Sequence, residues 1–401
     1  MKVLVLNCGS SSLKYQIVKM PKELQILEGE VQRVGIKTSL KSIIIHNGRS
    51  ITLENSIDTH VKAFKTALIY IQENNTNLDL NFDFIAHRYV NAGSHIKGTT
   101  RITSDIISQL KNSLDIAPLH NPIIYNLIDY CFNKYSDIPQ YIVMDHTFHE
   151  NIPKEFSTYA IPKKLTLKYK IKRIGYHGLS HQYVMQQACT FLKTEIKNQK
   201  IISCHLGTGG SSICAIENGV SVNSSMGFTP LEGLIMNTRS GNIDIRIIFQ
   251  TMYTNDLTVF EAEKLLNNES GILSILKESS DLREAIKNKN KNPNANLAVN
   301  MYVKRIKKYI GNYMIQLKQA DVLIFTDTLG VNFPIIREYI CKNMDYFKIE
   351  IDEFANNNYF NGIKDVSSKK SKVKILIIPT NEEIMIAREA YKKISKHVKI
   401  Q

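Results

Sequence analysis

The sequence predicts an α/β protein of two related domains, and three observations predict it. A strand, a small-residue turn and a second strand occupy residues 2–19, and the same order recurs at 201–217, about half a chain later. Apolar runs with helical spacing alternate with short continuous apolar runs around and after these hairpins. The length, 401 residues, corresponds to two or three domains by size alone, two being the economical reading.

Taken in order, Lys2–Asn7 is an apolar strand, Cys8-Gly-Ser-Ser-Ser12 a turn, and Leu13–Lys19 the return strand. Strands follow at Ile26–Val34 and Ser42–His46, and Asn47-Gly48 turns the chain toward Ser50–Leu53. Ile57, Val61, Phe64, Leu68 and Ile71 fall on one face of a 3.6-residue period, which predicts a helix. Phe84–Val90 is a buried strand ending in Asn91-Ala92-Gly93, and Tyr141–Met144 a short one ending at Asp145. The second half opens with strand Ile201–His205, the turn LGTGG, strand Ser211–Glu217 and the closing pair Asn218-Gly219. A helix at Leu297–Leu317 and strands at Asp321–Thr326 and Lys374–Ile378 complete the set. The Lys- and Asn-rich stretches 287–294 and 364–374 read as solvated loops, and Thr380 with Glu383 as a capping box opening a last helix.

Hydrophobic residues make up 43% of the chain and charged residues 22%, so it can bury a large core and is not disordered. No apolar run reaches the ~18 residues of a membrane span. The apolar stretch at the N-terminus is only Val3–Leu6, a strand rather than a secretory signal, which predicts a cytoplasmic protein. The net charge of +14 comes mostly from Lys, since only eleven of the 51 basic residues are Arg. These lysines form no stripe and accompany no nucleic-acid motif, so a compositional bias explains them better than nucleic-acid binding. The six cysteines lack paired or zinc-like spacing and are expected as reduced, buried thiols.

Gly/Ser turns between strands gather backbone N–H groups into a nest that suits phosphate. CGSSS with Lys14, and His205-Leu206-Gly207-Thr208-Gly209 with Gly210 and two serines, are two such turns heading equivalent halves. They suggest two jaws on one polyphosphate. Residues 224–244 are too polar and glycine-rich for a helix and too long for an ordinary turn, which marks a functional segment. Its Arg239 could offset charge on a transferring phosphoryl group, or pair with Glu232 or Asp244.

NCGSSSLKY, APLHNP (117–122), Asp145–His149, GYHGLSHQYV (175–184), CHLGTGG, SMGFTPLEG (225–233), TRSG (238–241), SSDLR (279–283) and PTNEE (379–383) together resemble the signatures of the acetate kinase family. The resemblance implies two duplicated ribonuclease H-like domains of the actin-like ATPase fold, with the active site in the interdomain cleft. Domains are then expected at 1–150 and 151–380, with helix 381–398 packing back on the first. It implies reversible, Mg²⁺- (or Mn²⁺-) dependent phosphoryl transfer between ATP and acetate, giving acetyl phosphate and ADP, by a homodimer without nucleic-acid or membrane partners.

By the same resemblance, Asp145 is the acidic catalytic residue, its carboxylate orienting the metal and its waters, and His177 and Arg239 stabilise the transition state. Arg88 holds the carboxyl end of the substrate, and Val90, Leu119, Tyr176 and Pro230 form its apolar pocket, Tyr176 replacing the usual Phe. Asn7 and Glu382 are linked to the metal. Lys14, His205–Gly209 and the motif Asp281-Leu282-Arg283 serve the phosphate and nucleotide. Three places depart from the family: Asn91-Ala92-Gly93 stands for HGG, Thr208 for Asn, and Phe325-Thr326-Asp327-Thr328-Leu329-Gly330-Val331-Asn332 for FTGGIGEN. Asp327 and Thr328 add side chains near the expected nucleoside site. A small pyrophosphate-using branch of the family looks similar here, so pyrophosphate is the alternative donor. A catalytically silent, nucleotide-responsive protein is the alternative of another class.

Overall fold

The computed structural model describes residues 1–35, 41–74, 80–93, 96, 98–117 and 120–398. The chain divides into two compact units, 1–147 with 381–401, and 148–380. Each is built on one mixed sheet.

In unit 1 the strands are β1 (Lys2–Cys8), β2 (Ser12–Lys19), β3 (Leu24–Gln32), β4 (Ile43–His46), β5 (Arg49–Thr52), β6 (Phe84–Tyr89), β7 (Thr100–Arg101) and β8 (Gln140–Met144). They lie in the order β5-β4-β3-β2-β1-β6-β8-β7. β1 pairs antiparallel with β2 and parallel with β6, which runs parallel to β8. Val3, Val5, Phe84, Ile85, Ala86 and Ile142 are wholly buried, as continuous apolar strands covered on both faces must be. The helix Glu382–Val398 returns from the end of the chain and packs on β1, β6 and β8. Its Ile386, Ala387 and Ala390 are fully enclosed.

Unit 2 has β9 (Lys200–Leu206), β10 (Ser211–Glu217), β11 (Val220–Ser224), β12 (Val322–Thr326), β13 (Lys364–Asp365) and β14 (Lys374–Ile377), ordered β11-β10-β9-β12-β14-β13. Its centre repeats the pattern of unit 1: β9 pairs antiparallel with β10 and parallel with β12, which runs parallel to β14. Both hairpins close with a four-residue turn, Gly9 N–H donating to Ser12 O at 2.8 Å and Gly207 N–H to Gly210 O at 3.0 Å. Alternation along the strands gives the sheet two buried faces. Ile202, Cys204, Leu206, Leu323 and Phe325 face the long helix Pro293–Gln316, and Ile201, Ile324 and Leu376 face the helix Gly178–Leu192.

Three readings of local sequence are corrected. Residues 364–374 are not a solvated loop: β13 starts there and Val366 and Val373 are fully buried, two apolar anchors among exposed lysines. In 287–294, Lys287 and Asn288 finish a helix and Pro293 opens the next, capped by Asn292. The cap of the last helix is Asn381, whose Oδ1 accepts the Ile384 N–H at 2.9 Å, because the helix starts a residue later than a Thr380 cap requires. All six cysteines are buried free thiols, and no helix among the described residues is long and apolar enough to cross a membrane.

Candidate active site

In unit 1 the predicted residues gather at the carboxyl ends of the parallel strands, where α/β sheets bind ligands. Asn7 is next to last in β1, Arg88 next to last in β6, Asp145 follows β8, and Glu382 opens the last helix. Arg88 Nη2 lies 3.1 Å from Asp145 Oδ2, its Nε 3.4 Å from Oδ1 and 3.9 Å from Glu382 Oε2. Asn7 Nδ2 donates to Glu382 Oε2 at 3.1 Å and to Glu383 Oε1 at 2.8 Å. Asp145 is 1% exposed, and Arg88 compensates its buried charge. Burial alone would lower the Arg88 pKa, but Asp145 and Glu382 outweigh it and the net shift is upward. Glu383 joins this cluster although sequence reasoning gave it only a capping role. Its place beside Glu382 in PTNEE was the available signal.

In unit 2 the site is built from imidazoles and hydroxyls. His177 takes a left-handed backbone (φ +57°) ahead of the helix Gly178–Leu192, and its Nδ1 lies 2.9 Å from Ser212 Oγ. Its ring stacks on His205 with centroids 4.1 Å apart. His205 Nδ1 lies 2.8 Å from Ser180 Oγ and its Nε2 3.0 Å from Asp327 Oδ2. A Cβ placed on Gly210 would sit 3.3 Å from His177 Nε2 and 3.8 Å from Arg239 Nη1. The two predicted transition-state groups therefore converge over the phosphate turn.

No carboxylate among the described residues lies within ion-pair distance of Arg239. Glu232 is engaged by Arg173 at 2.7 Å and by Tyr159, and Asp244 caps a helix through the Arg246 N–H. The structural alternative for Arg239 thus fails. Burial holds its guanidinium below the usual value, partly offset by Tyr176. Arg239 Nη1 lies beside Gly210 of the glycine turn. Arg173, which sequence reasoning missed, also donates to the carbonyls of Ser224 and Met226 and so braces the irregular segment. Tyr176 Oη donates to Phe228 O at 2.9 Å, tying the pocket residue to the segment carrying Pro230.

The remaining predicted residues are distributed. Val90 is buried directly after β6, Lys14 is exposed on β2 opposite Asn7 in register, and Leu119 lies outside the described residues. Asp281 caps the helix Leu282–Asn288 and forms a fork with Arg283, so both motif side chains engage each other. Asp327 has φ +61°, a conformation that favours glycine. Its carboxylate lies against Gly207, where a Cβ would collide with it. Thr328 donates its N–H to Asp327 Oδ1 at 2.7 Å, while Leu329 and Gly330 are buried and Val331 is half-buried. Arg337, wholly buried, donates to the carbonyls of Gly330 and Val331 and pins the segment from beneath.

The two units share the strand order 3-2-1-4-5, each carrying a polar cluster at its hairpin turn. The acetokinase family model matches residues 2–388. The chain is 40% identical over 403 residues to an acetate kinase of Caldicellulosiruptor saccharolyticus, covering 99% of this chain and all of the relative. Among solved structures it is similar to Porphyromonas gingivalis acetate kinase (TM-score 0.86, 35% identity, 98% and 99% of the two chains). A propionate kinase of Francisella tularensis is also similar (TM-score 0.86, 33% identity, 97% and 98% covered). The chain belongs to the acetokinase family, and is an enzyme that transfers a phosphoryl group to a carboxyl group.

Proposed function

We propose that this chain phosphorylates acetate reversibly, with ATP as donor and acetyl phosphate and ADP as products. The observation that carries the reading is Arg239, a half-buried cation with no carboxylate partner among the described residues, converging with His177 over Gly210. Phosphoryl transfer asks mainly for alignment and charge stabilisation, which these two groups supply by donating to the transferring oxygens. Arg88, held by Asp145, takes the acetate carboxylate; Val90, Leu119, Tyr176 and Pro230 are the residues that the family resemblance assigns to its methyl group. Lys14 and the turn residues 205–209 hold phosphates, with Asp281–Arg283 and Asp327–Val331 on the nucleotide side. No covalent intermediate on the protein is required.

Among the described residues no three His, Cys, Asp or Glu side chains form a metal-holding group. Mg²⁺ commonly takes one or two carboxylates and completes its octahedron with water and phosphate. The hard oxygens of Glu382 and Asn7, oriented with Asp145, fit that manner of binding. When bound, Mg²⁺ (or Mn²⁺) would neutralise donor phosphate charge.

A second donor, pyrophosphate, is favoured by one observation: the Asp327 carboxylate held on His205 puts negative charge at the phosphate turn where the family pattern has glycine. Acetyl phosphate consumption assayed in parallel with ADP and with orthophosphate separates the two. Turnover with ADP supports ATP; turnover with orthophosphate alone overturns it. We further propose a homodimer, because Ile245, Ile247, Phe249, Tyr253, Val259 and Phe260 form an exposed apolar surface on two successive helices. Six free thiols suit a reducing compartment, the cytoplasm.

A further inference from the structure

The unit 2 cluster holds imidazoles and hydroxyls that none of the roles above uses, and they form a chain. Ser203 Oγ lies 2.9 Å from His181 Nδ1, His181 Nε2 lies 2.9 Å from Ser212 Oγ, and Ser212 Oγ lies 2.9 Å from His177 Nδ1. Ser203, His181 and Ser212 are fully buried. The serines come from neighbouring strands β9 and β10, and His181 stands about one helical turn beyond His177.

A neutral imidazole has one N–H and one lone pair, and a serine hydroxyl has a single proton. Ser212 stands between two ring nitrogens, so it donates to one and accepts from the other. The chain then has two registers. In the first, Ser203 donates to His181 Nδ1, His181 Nε2–H donates to Ser212, and Ser212 donates to His177 Nδ1. The proton of His177 is then on Nε2. In the second every donor reverses, and neutral His177 presents a bare lone pair at Nε2. Only the first directs an N–H over Gly210, beside Arg239. A lone pair there would repel phosphoryl oxygens.

We propose that Ser212 and His181 are positioning residues that hold His177 as its Nε2–H tautomer, so that this ring donates to the phosphoryl group in transit. The proposal rests on the acetate kinase reading above. The same register opposes protonation of His177: an imidazolium must donate from Nδ1, which turns the Ser212 proton onto a His181 nitrogen that already carries one. The other groups facing His177 are His205 stacked on it with Asp327 behind, Arg239 across Gly210, and Tyr176 with His149 bonded to its carbonyl. None of them is altered by substitution at 212.

The test is nitrogen-15 NMR of the imidazoles in the full chain without substrate, titrated with pH. It is paired with steady-state kinetics of Ser212→Ala, His181→Leu and His181→Gln. In the unsubstituted protein the proton of His177 is expected on Nε2. Ser212→Ala should raise the His177 protonation midpoint by about one pH unit and lower kcat about tenfold, with each KM within about twofold. His181→Gln, which keeps an N–H toward Ser212, should recover most of kcat; His181→Leu should not. A proton on Nδ1 of neutral His177 would overturn the proposal, as would an unmoved midpoint with unchanged kcat in Ser212→Ala. The NMR needs no turnover, so a chain inactive on acetate would sink the functional reading while the tautomer result still decides this one.

Discussion

The two units share a strand order and differ in how each treats its charge. Asn7 stands two residues before Gly9 and His205 two before Gly207, so the duplicated hairpins put a residue at the same place in each. In unit 1 that residue faces two carboxylates, and the nearby guanidinium of Arg88 is neutralised by Asp145 and Glu382. In unit 2 it is an imidazole between the Ser180 hydroxyl and the Asp327 carboxylate, and Arg239 has no carboxylate counterpart among the described residues. The difference teaches that one scaffold can serve opposite electrostatic tasks. The balanced cluster is complete before substrate arrives, whereas the cationic one gains its partner only from an anion.

The largest expected effect is at the cationic cluster. Arg239→Ala should lower kcat by as much as 10³–10⁵, the range for a transition-state guanidinium, with a much smaller change in acetate KM. Its stability, read by urea unfolding, should hold or rise, because no buried carboxylate loses a partner. Near-normal kcat would remove Arg239 from the chemistry and erase the contrast between the units.

Arg88→Ala should behave in the opposite way. It strands the buried Asp145 carboxylate, so unfolding free energy should fall by about 3–5 kcal/mol. In the protein that remains folded, KM for acetate or acetyl phosphate should rise more than kcat falls. Unchanged stability would show that Asp145 does not depend on this pair.

A subtler change probes the carboxylate that intrudes on unit 2. Asp327→Gly with Thr328→Gly should strengthen ADP and ATP affinity, several-fold as one unfavourable charge near phosphate implies. Equilibrium binding of ADP measures it; weaker binding would mean that the Asp327–His205 contact assists the nucleotide.

A further effect is a pH dependence of unit 1. His87, 1% exposed beside Arg88, has its pKa pulled down to about 4 by burial, against the opposing hydrogen bond that its Nε2–H donates to Gln140 Oε1. The unfolded imidazole titrates near ~6.5, so between these values the unfolded state binds more protons and stability rises with pH. The neutral form costs nothing above the upper value; as pH falls to the lower one the loss reaches about 3 kcal/mol. His87→Gln should flatten the curve across that window in urea titrations, and an equally steep curve would assign the slope elsewhere.

Much of this was legible in the sequence because strands buried on both faces write themselves as apolar runs. Both hairpins are of that kind. β11 was not found, since Val220-Ser-Val-Asn-Ser224 carries two valines among polar residues. Lysines hid Val366 and Val373 in the same way. The site residues inside long motifs were named, but which of them meet depends on pairing across distant chain positions. Nothing local to Asp327 announces that it reaches His205, and nothing in Ser212 announces that it bridges two imidazoles. The spacing of His177 and His181, four apart on a helix, was the one local hint of that bridge.

The return of the last helix to unit 1 has a consequence for synthesis. Glu382 and Glu383, the carboxylates that meet Asn7 in β1, are synthesised some 375 residues after it. At roughly 5–20 residues per second, about 20–75 s separate the two ends of that contact. The 233 residues from 148 to 380 emerge in the interval and can fold first. A chain that stopped before residue 382 would lack the carboxylates that meet Asn7.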